Sequence, residues 1–289
     1  MSKENLIGHE LILNNLVSLF NNHNLPTKIL LSGKRGIGKS LIVKHFLYKI
    51  FSDEKSKNLI NKNSHMNVLS IKKNNDKKNI EIDQVREIIK FTNQSSFNNK
   101  SRFVIIDDAE YLNINSSNAL LKSLEEPNNN VYFFLIYNSD LLILDTIKSR
   151  CLEFKIDMKL ENTKLILNNH FDENIFENIN DNLVNSYSTP KFLIDIVIFL
   201  RENNLSVEDT DINDLIKNII NNKLYIKDNF VKEYINYIIE LFFYNHINVT
   251  KKISYSVKKY YYLKLSGIRK YNLDYETFFL EFKDKLLSE

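Results

Sequence analysis

Residues Lys28-Ile29-Leu30-Leu31-Ser32-Gly33-Lys34-Arg35-Gly36-Ile37-Gly38-Lys39-Ser40 read as an apolar run, a glycine-rich turn and the start of a helix, whose period continues from Leu41 to Phe51. Strand, turn and helix in that order make half of a parallel α/β unit. Gly33 to Ser40 also matches the phosphate-binding pattern G-x-x-x-x-G-K-[ST]. Gly33, Gly36 and Gly38 are three of only 5 glycines in the chain. In such a loop the backbone N–H groups and the N-terminus of the following helix point at the β-phosphate of a nucleotide. Lys39 would reach the β- and γ-phosphates, and the Ser40 hydroxyl would bind Mg²⁺. A bare strand-to-helix turn is the alternative, and it leaves the glycine cluster unexplained.

The flanking segments extend the same alternation. Arg102-Phe103-Val104-Ile105-Ile106-Asp107-Asp108 reads as a buried strand beside the phosphate loop, ending in two carboxylates. Asp107 is placed to hold hydrated Mg²⁺. Asp108 stands where a hydrolytic ATPase usually carries Glu, and its shorter side chain positions an attacking water less well. Before the loop, Gly8 to about Leu19 has helical spacing and stops before Pro26. After it, residues 52 to 79 read as a solvated connection interrupted by the strand Val68–Ile71, and Ile82 to Phe91 reads as a helix. Ser116 to Glu126 is a helix with Pro127 as its stop, Val131 to Ile136 a third core strand, and Leu152 to Phe154 a further one. The prediction is an α/β, doubly wound parallel sheet over residues 1–156. Beyond Asp157 the strand signals cease. Residues 157–204 read as short helices, with Pro190 in the first turn of one of them, and residues 205–289 as a second, C-terminal all-α block.

Composition narrows the class. The chain has 289 residues, 43% of them hydrophobic, and a formal charge of +3, too mild to demand a nucleic-acid partner on electrostatic grounds. Its 1 cysteine, Cys151, allows no internal disulfide and no cysteine-based zinc site, and it reads as a small buried residue. The histidines show no metal-ligand spacing. The opening Met1 to Ile7 lacks the apolar run of a signal peptide, and no window is long and apolar enough to span a membrane, so a cytoplasmic protein with no membrane partner is expected. Lys251-Lys252 and Lys258-Lys259-Tyr260-Tyr261-Tyr262 form a basic, aromatic cluster. A packed helix with snorkelling lysines is preferred there over a nucleic-acid surface.

Beyond the phosphate loop, three stretches carry a resemblance: Ile7-Gly8-His9-Glu10, Ser117-Asn118-Ala119-Leu120-Leu121-Lys122-Ser123-Leu124-Glu125-Glu126-Pro127, and Lys148-Ser149-Arg150-Cys151. With the loop and Asp107 they resemble the AAA+ ATPases, and within them the clamp-loader subunits of bacterial DNA polymerase III. The likeness is strong from Ile7 to Phe154, and in the last block only Tyr271-Asn272-Leu273-Asp274 is familiar. It implies an AAA+ module, a three-helix lid and an oligomerising helical collar. Motor subunits of the gamma/tau kind carry four zinc-binding cysteines after the first helix. Within the family the chain resembles the zinc-lacking delta-prime branch, and the absence of those cysteines here argues against a motor subunit.

That resemblance implies a clamp-loader subunit without polymerase chemistry of its own, working in a hetero-oligomer with the gamma/tau motor, the delta subunit, the sliding clamp and primer-template DNA. It implies ATP and Mg²⁺ as cofactors, no zinc, and weak turnover at the chain's own site. Arg150 would be a finger acting in trans on a neighbour's ATP, with a helix-end arginine binding carbonyls as the alternative. Asn138 would be a γ-phosphate sensor, with a turn-forming asparagine as the alternative. Lys191 lies near the second sensor of the lid. The rival functions are an autonomous ATPase, either the motor subunit or a branch-migration helicase, and a P-loop small-molecule kinase. The kinase leaves the Ser149-Arg150-Cys151 segment unexplained.

Overall fold

Five strands, β1 (Lys28–Gly33), β2 (Val68–Ile71), β3 (Arg102–Ile106), β4 (Val131–Asn138) and β5 (Leu152–Lys155), form one sheet in the order β2-β3-β4-β1-β5 with every pairing parallel. They belong to a computed structural model that describes residues 6–74, 77–93, 100–125, 130–249, 253–271 and 273–287. Glu126, Pro127, Lys251, Lys252 and Asn272, named above, lie outside the described residues. The chain divides into two compact units, Met1–Asn162 and Thr163–Glu289.

In the first unit the helices are α1 (Glu10–Asn21), α2 (Lys39–Ile50), α3 (Glu54–Asn61), α4 (Ile82–Asn93), α5 (Ile114–Glu125) and the single turn α6 (Asp145–Lys148). The strands alternate their side chains between two cores. Ile29 and Leu31 of β1, Phe103 of β3 and Phe134 and Ile136 of β4 pack with Leu13 and Leu16 of α1 and Ile42, Val43, Phe46 and Leu47 of α2. Leu30, Val104, Ile106, Phe133 and Leu135 face the other way, onto Val85 and Ile88 of α4 and Leu120 and Leu124 of α5. Apolar residues on both faces are what a doubly covered parallel sheet requires, and they explain why these strands show no polar alternation. Phe103 is the hub of the first core, with its ring centroid 5.5–6.4 Å from those of Phe20, Phe46, Phe51, Tyr132 and Phe134.

β4 lies between β1 and the strand carrying Asp107 and pairs with both, and the end of that strand still borders the loop. One expectation needs correction. The connection from 52 to 79 contains a helix, α3. Asp53 caps it by accepting from the N–H of Ser56 at 2.8 Å, and only Ile60 is buried, so it shows too little apolar period to be read from the sequence.

The described residues of the second unit form helices and no strand: α7 (Leu160–Phe171, whose first turn belongs to the first unit), α8 (Pro190–Glu202), α9 (Ile212–Asn221), α10 (Leu224–Lys227), α11 (Asn229–Tyr244), α12 (Tyr255–Tyr271) and α13 (Glu276–Leu286). Pro190 occupies the first turn of α8, where its missing N–H costs nothing, and Thr189 caps that helix. One continuous core runs from Leu167 through Leu193, Leu215, Ile235, Phe242 and Tyr261 to Phe282, so the expected division between residues 204 and 205 falls inside a single packed unit. Tyr261 is buried, while Lys258 lies 5.3 Å from the Tyr262 ring, as a packed helix with lysines along its flank requires. No described helix is long and apolar enough to cross a membrane.

Candidate functional site

The sheet order brings the carboxyl ends of β1, β4 and β3 together, the edge at which open α/β sheets bind ligands. Gly33, the last residue of β1, passes so close to the neighbouring backbone that a Cβ there would lie 2.4 Å from the Ile156 carbonyl oxygen. Gly36 turns the loop at φ 83°, and Gly38 opens α2 from the left-handed region at φ 96°, where a side chain is strained. The loop is also held from below. His9 is buried, and its Nε2–H donates to the Ile37 carbonyl at 2.5 Å.

Lys39 is buried at the head of α2, with Nζ donating to the carbonyls of Gly33 and Lys34, each at 2.7 Å. Burial lowers its ammonium from 10.5 to about 8, while the carboxylates of Glu110, Asp107, Asp140 and Asp108 pull it back up. A desolvated cation beside a helix N-terminus is a waiting partner for a polyphosphate.

Ser40 Oγ donates to Asp107 Oδ2 at 3.1 Å, so the two expected metal-holding groups meet although 67 positions apart. Two hard oxygen donors at the mouth of the loop fit a Mg²⁺ that keeps several of its waters, and the residues present therefore suit a magnesium nucleotide. Lys72, just beyond β2, stands 3.5 Å from Asp107 Oδ2 and 4.0 Å from Asp108 Oδ2, a cation already attracted to that carboxylate pair. Asp108 sits in the left-handed region at φ 61°, and burial first, then Asp107, raises its carboxyl above the ordinary range. Among the described residues no group of three His, Cys, Asp or Glu side chains is arranged to hold a metal ion by itself.

Asn138 ends β4 in register with Gly33. Its Oδ1 accepts from the N–H of Asp140 at 3.1 Å, so the turn-forming alternative is realised at the same residue that borders the loop. Its own N–H donates to Glu110 Oε2 at 3.2 Å. Burial pushes the Glu110 carboxyl from 4.5 up to about 7. Arg150 lies away from this cluster, after α6. Nε and one terminal nitrogen donate to Glu125 Oε1 at 3.0 and 2.6 Å, and the other terminal nitrogen donates to the Thr146 carbonyl at 2.9 Å. The helix-end arrangement is thus present within the chain. Lys191 belongs to the second unit and pairs with Asp195 at 2.6 Å. Cys151 is half-buried, and burial pushes its thiol up to about 11, which leaves it unreactive.

Three site residues were not singled out from the sequence. Lys72 and Glu110 stand outside any motif, and His9 sat unassigned in the Ile7–Glu10 stretch. Only that stretch held a readable signal.

Comparison with known proteins adds the lineage. The family described as "DNA polymerase III, delta subunit" matches residues 8–159. The DNA polymerase III subunit delta' of Pseudomonas aeruginosa is 32% identical over 134 residues, 43% of this chain and 41% of that protein. The corresponding subunit of Haemophilus influenzae is 45% identical over 74 residues, 26% of this chain and 23% of that protein. The DNA polymerase III subunit gamma of Buchnera aphidicola is 27% identical over 227 residues, 72% of this chain and 62% of that protein. The chain therefore spans less than two thirds of the length of these relatives. Among solved structures, a gamma subunit-related protein of Thermotoga maritima aligns over 74% of this chain and 65% of its own, at 23% identity and a TM-score of 0.44.

Proposed function

The chain belongs to the family described as "DNA polymerase III, delta subunit", and on that premise we propose that it is a delta-prime-type clamp-loader subunit that helps place a sliding clamp on primed DNA in the cytoplasm. The observation that carries this reading is that the matched residues, 8–159, are those that assemble the loop, the acids and Arg150. Its partners on this reading are a gamma/tau-type motor, a delta subunit, the clamp and, through the complex, primer-template DNA.

Arg150 then serves the neighbouring subunit's ATP. A guanidinium is charged at every working pH and spreads several N–H donors over phosphoryl oxygens as charge develops there. Glu125 and the Thr146 carbonyl hold it on a short turn rather than on a mobile loop, which limits the entropy lost when it engages. The chain's own loop binds a magnesium nucleotide through Lys39, Ser40 and Asp107. Turnover there is weak, because Asp108 is short for orienting water.

A second reading, an autonomous ATPase of the motor kind, is favoured by the intact hydrogen bond between Ser40 and Asp107. ATP turnover by the chain mixed with motor and delta subunits, sliding clamp and primed DNA separates the two. The proposal expects turnover to need Arg150 and to survive Lys39→Ala. Turnover by the isolated chain that Lys39→Ala abolishes, with Arg150→Ala silent in the mixture, would sink it.

A further inference from the structure

Glu110 is neither in the phosphate loop nor one of the two acids that close β3. It lies in the short 3₁₀ turn Ala109–Tyr111, half-buried, and reaches across to the end of β4. There the N–H of Asn138 donates to its Oε2 at 3.2 Å. Two residues later the N–H of Asp140 donates to Asn138 Oδ1 at 3.1 Å. With its oxygen turned to that N–H, the Asn138 side chain has the Nδ2 donor to offer a phosphate, which can only accept. Between them, Ser139 donates its N–H to the Gly33 carbonyl at 3.1 Å, the same carbonyl that accepts Lys39 Nζ at 2.7 Å. Residues 138–140 are therefore tied to the phosphate loop in the middle and to Glu110 at their start. The charge of Glu110 also raises the Lys39 ammonium against the effect of burial.

Resting on the nucleotide-site reading above, we propose that Glu110 is a positioning residue for the terminal phosphate: it fixes the main chain of Asn138 so that Nδ2 donates to the phosphoryl group that ATP has and ADP lacks. The physical reason is geometric. A hydrogen bond weakens steeply once its angle and distance leave the favoured range, so a sensor donor is only as selective as the backbone that carries it. Removing the acceptor for the Asn138 N–H takes away one of the two ties on that strand end, and on this proposal the hydrogen bond that loosens with it is the one only ATP makes.

Isothermal titration of the full chain with the magnesium complexes of ATPγS and of ADP tests this with four proteins: wild type, Glu110→Ala, Glu110→Gln and Asn138→Ala. In Glu110→Ala the preference for ATPγS over ADP falls by about tenfold, the worth of one hydrogen bond to a charged group, while ADP affinity changes by less than about twofold. Glu110→Gln keeps an acceptor oxygen for Asn138 and holds the preference within about twofold of wild type. Asn138→Ala loses as much as Glu110→Ala, and combining the two loses no more. An unchanged preference in Glu110→Ala, equal weakening of both nucleotides, or a loss in Glu110→Gln as large as in the alanine variant overturns the proposal. If Glu110→Ala does not fold, a preference that survives in Asn138→Ala overturns it. A wild type that binds neither nucleotide overturns the site reading together with this one, whereas an unchanged preference in Glu110→Ala overturns this one alone.

Discussion

Glu110→Gln should flatten the decline in stability of the nucleotide-free protein between about pH 4.5 and pH 7. In the fold, burial raises this carboxyl from 4.5 to about 7, so the unfolded chain releases its proton first as pH rises. A raised acid contributes stability that is present below the unfolded value and is lost as pH climbs through the folded one. The shift corresponds to about 3 kcal/mol at one pH unit per 1.36 kcal/mol, and the group's partial exposure reduces that to about 1–3 kcal/mol. Glutamine has the same shape and no proton to lose. The stability of Glu110→Gln minus that of wild type should therefore grow by about 1–3 kcal/mol across the window, or about 2–8 °C in melting temperature for a unit of this size. Urea unfolding followed by far-UV circular dichroism at pH 4.5, 5.5, 6.5 and 7 measures it. The comparison stops at pH 7 because Glu110 also supports the Lys39 ammonium, which titrates near 8. Parallel curves for the two proteins, or a wild type that gains on the variant as pH rises, would refute the burial argument.

Three other outcomes are expected. Wild type should gain melting temperature with magnesium ATP and Lys39→Met should not, and the stability that wild type loses as pH falls from about 10.5 to about 8 should be smaller in Lys39→Met, since over that window the unfolded chain takes up the lysine proton before the fold does. Gly33→Ala should cost more than about 2 kcal/mol in chemical denaturation, because the obstacle at 2.4 Å is the backbone carbonyl of Ile156 and the neighbouring Ile37 Cδ1 lies only 2.6 Å away. Arg150→Ala should leave the chain's own stability within about 1 kcal/mol, the worth of an exposed pair with Glu125, while lowering ATP turnover in the assembled complex by an amount approaching ~10³-fold. Unchanged turnover in assembled mutant complexes would contradict the trans role.

The candidate site was legible to the extent that its parts are contiguous. Lys39 and Ser40 follow a strand and three glycines within 13 residues, and that local order alone imposes the loop. Asp107 was legible because a buried strand ending in acid has few other uses. Glu110 gave no such signal: an acid in a short turn after a strand is ordinary in sequence, and it becomes distinctive only where β4 delivers the Asn138 N–H to it. Asn138 was open between turn and sensor because both uses need the same short amide. Helix α3 escaped notice since its stability rests on the Asp53 cap and one buried side chain rather than on a hydrophobic stripe.

By itself the sequence determined the alternation of strands and helices, the phosphate loop, and the change to an all-helical second half, since each rests on periodicity or on residues adjacent in the chain. Tertiary structure alone decided that β4 intervenes between β1 and β3, that Ser40 meets Asp107, that His9 braces the loop, that Glu125 grips Arg150, and that residues from Leu167 to Leu287 share one core. The hydrogen bonds among these join positions 25 or more apart, and their partners are chosen by strand order and packing, which local propensity does not encode.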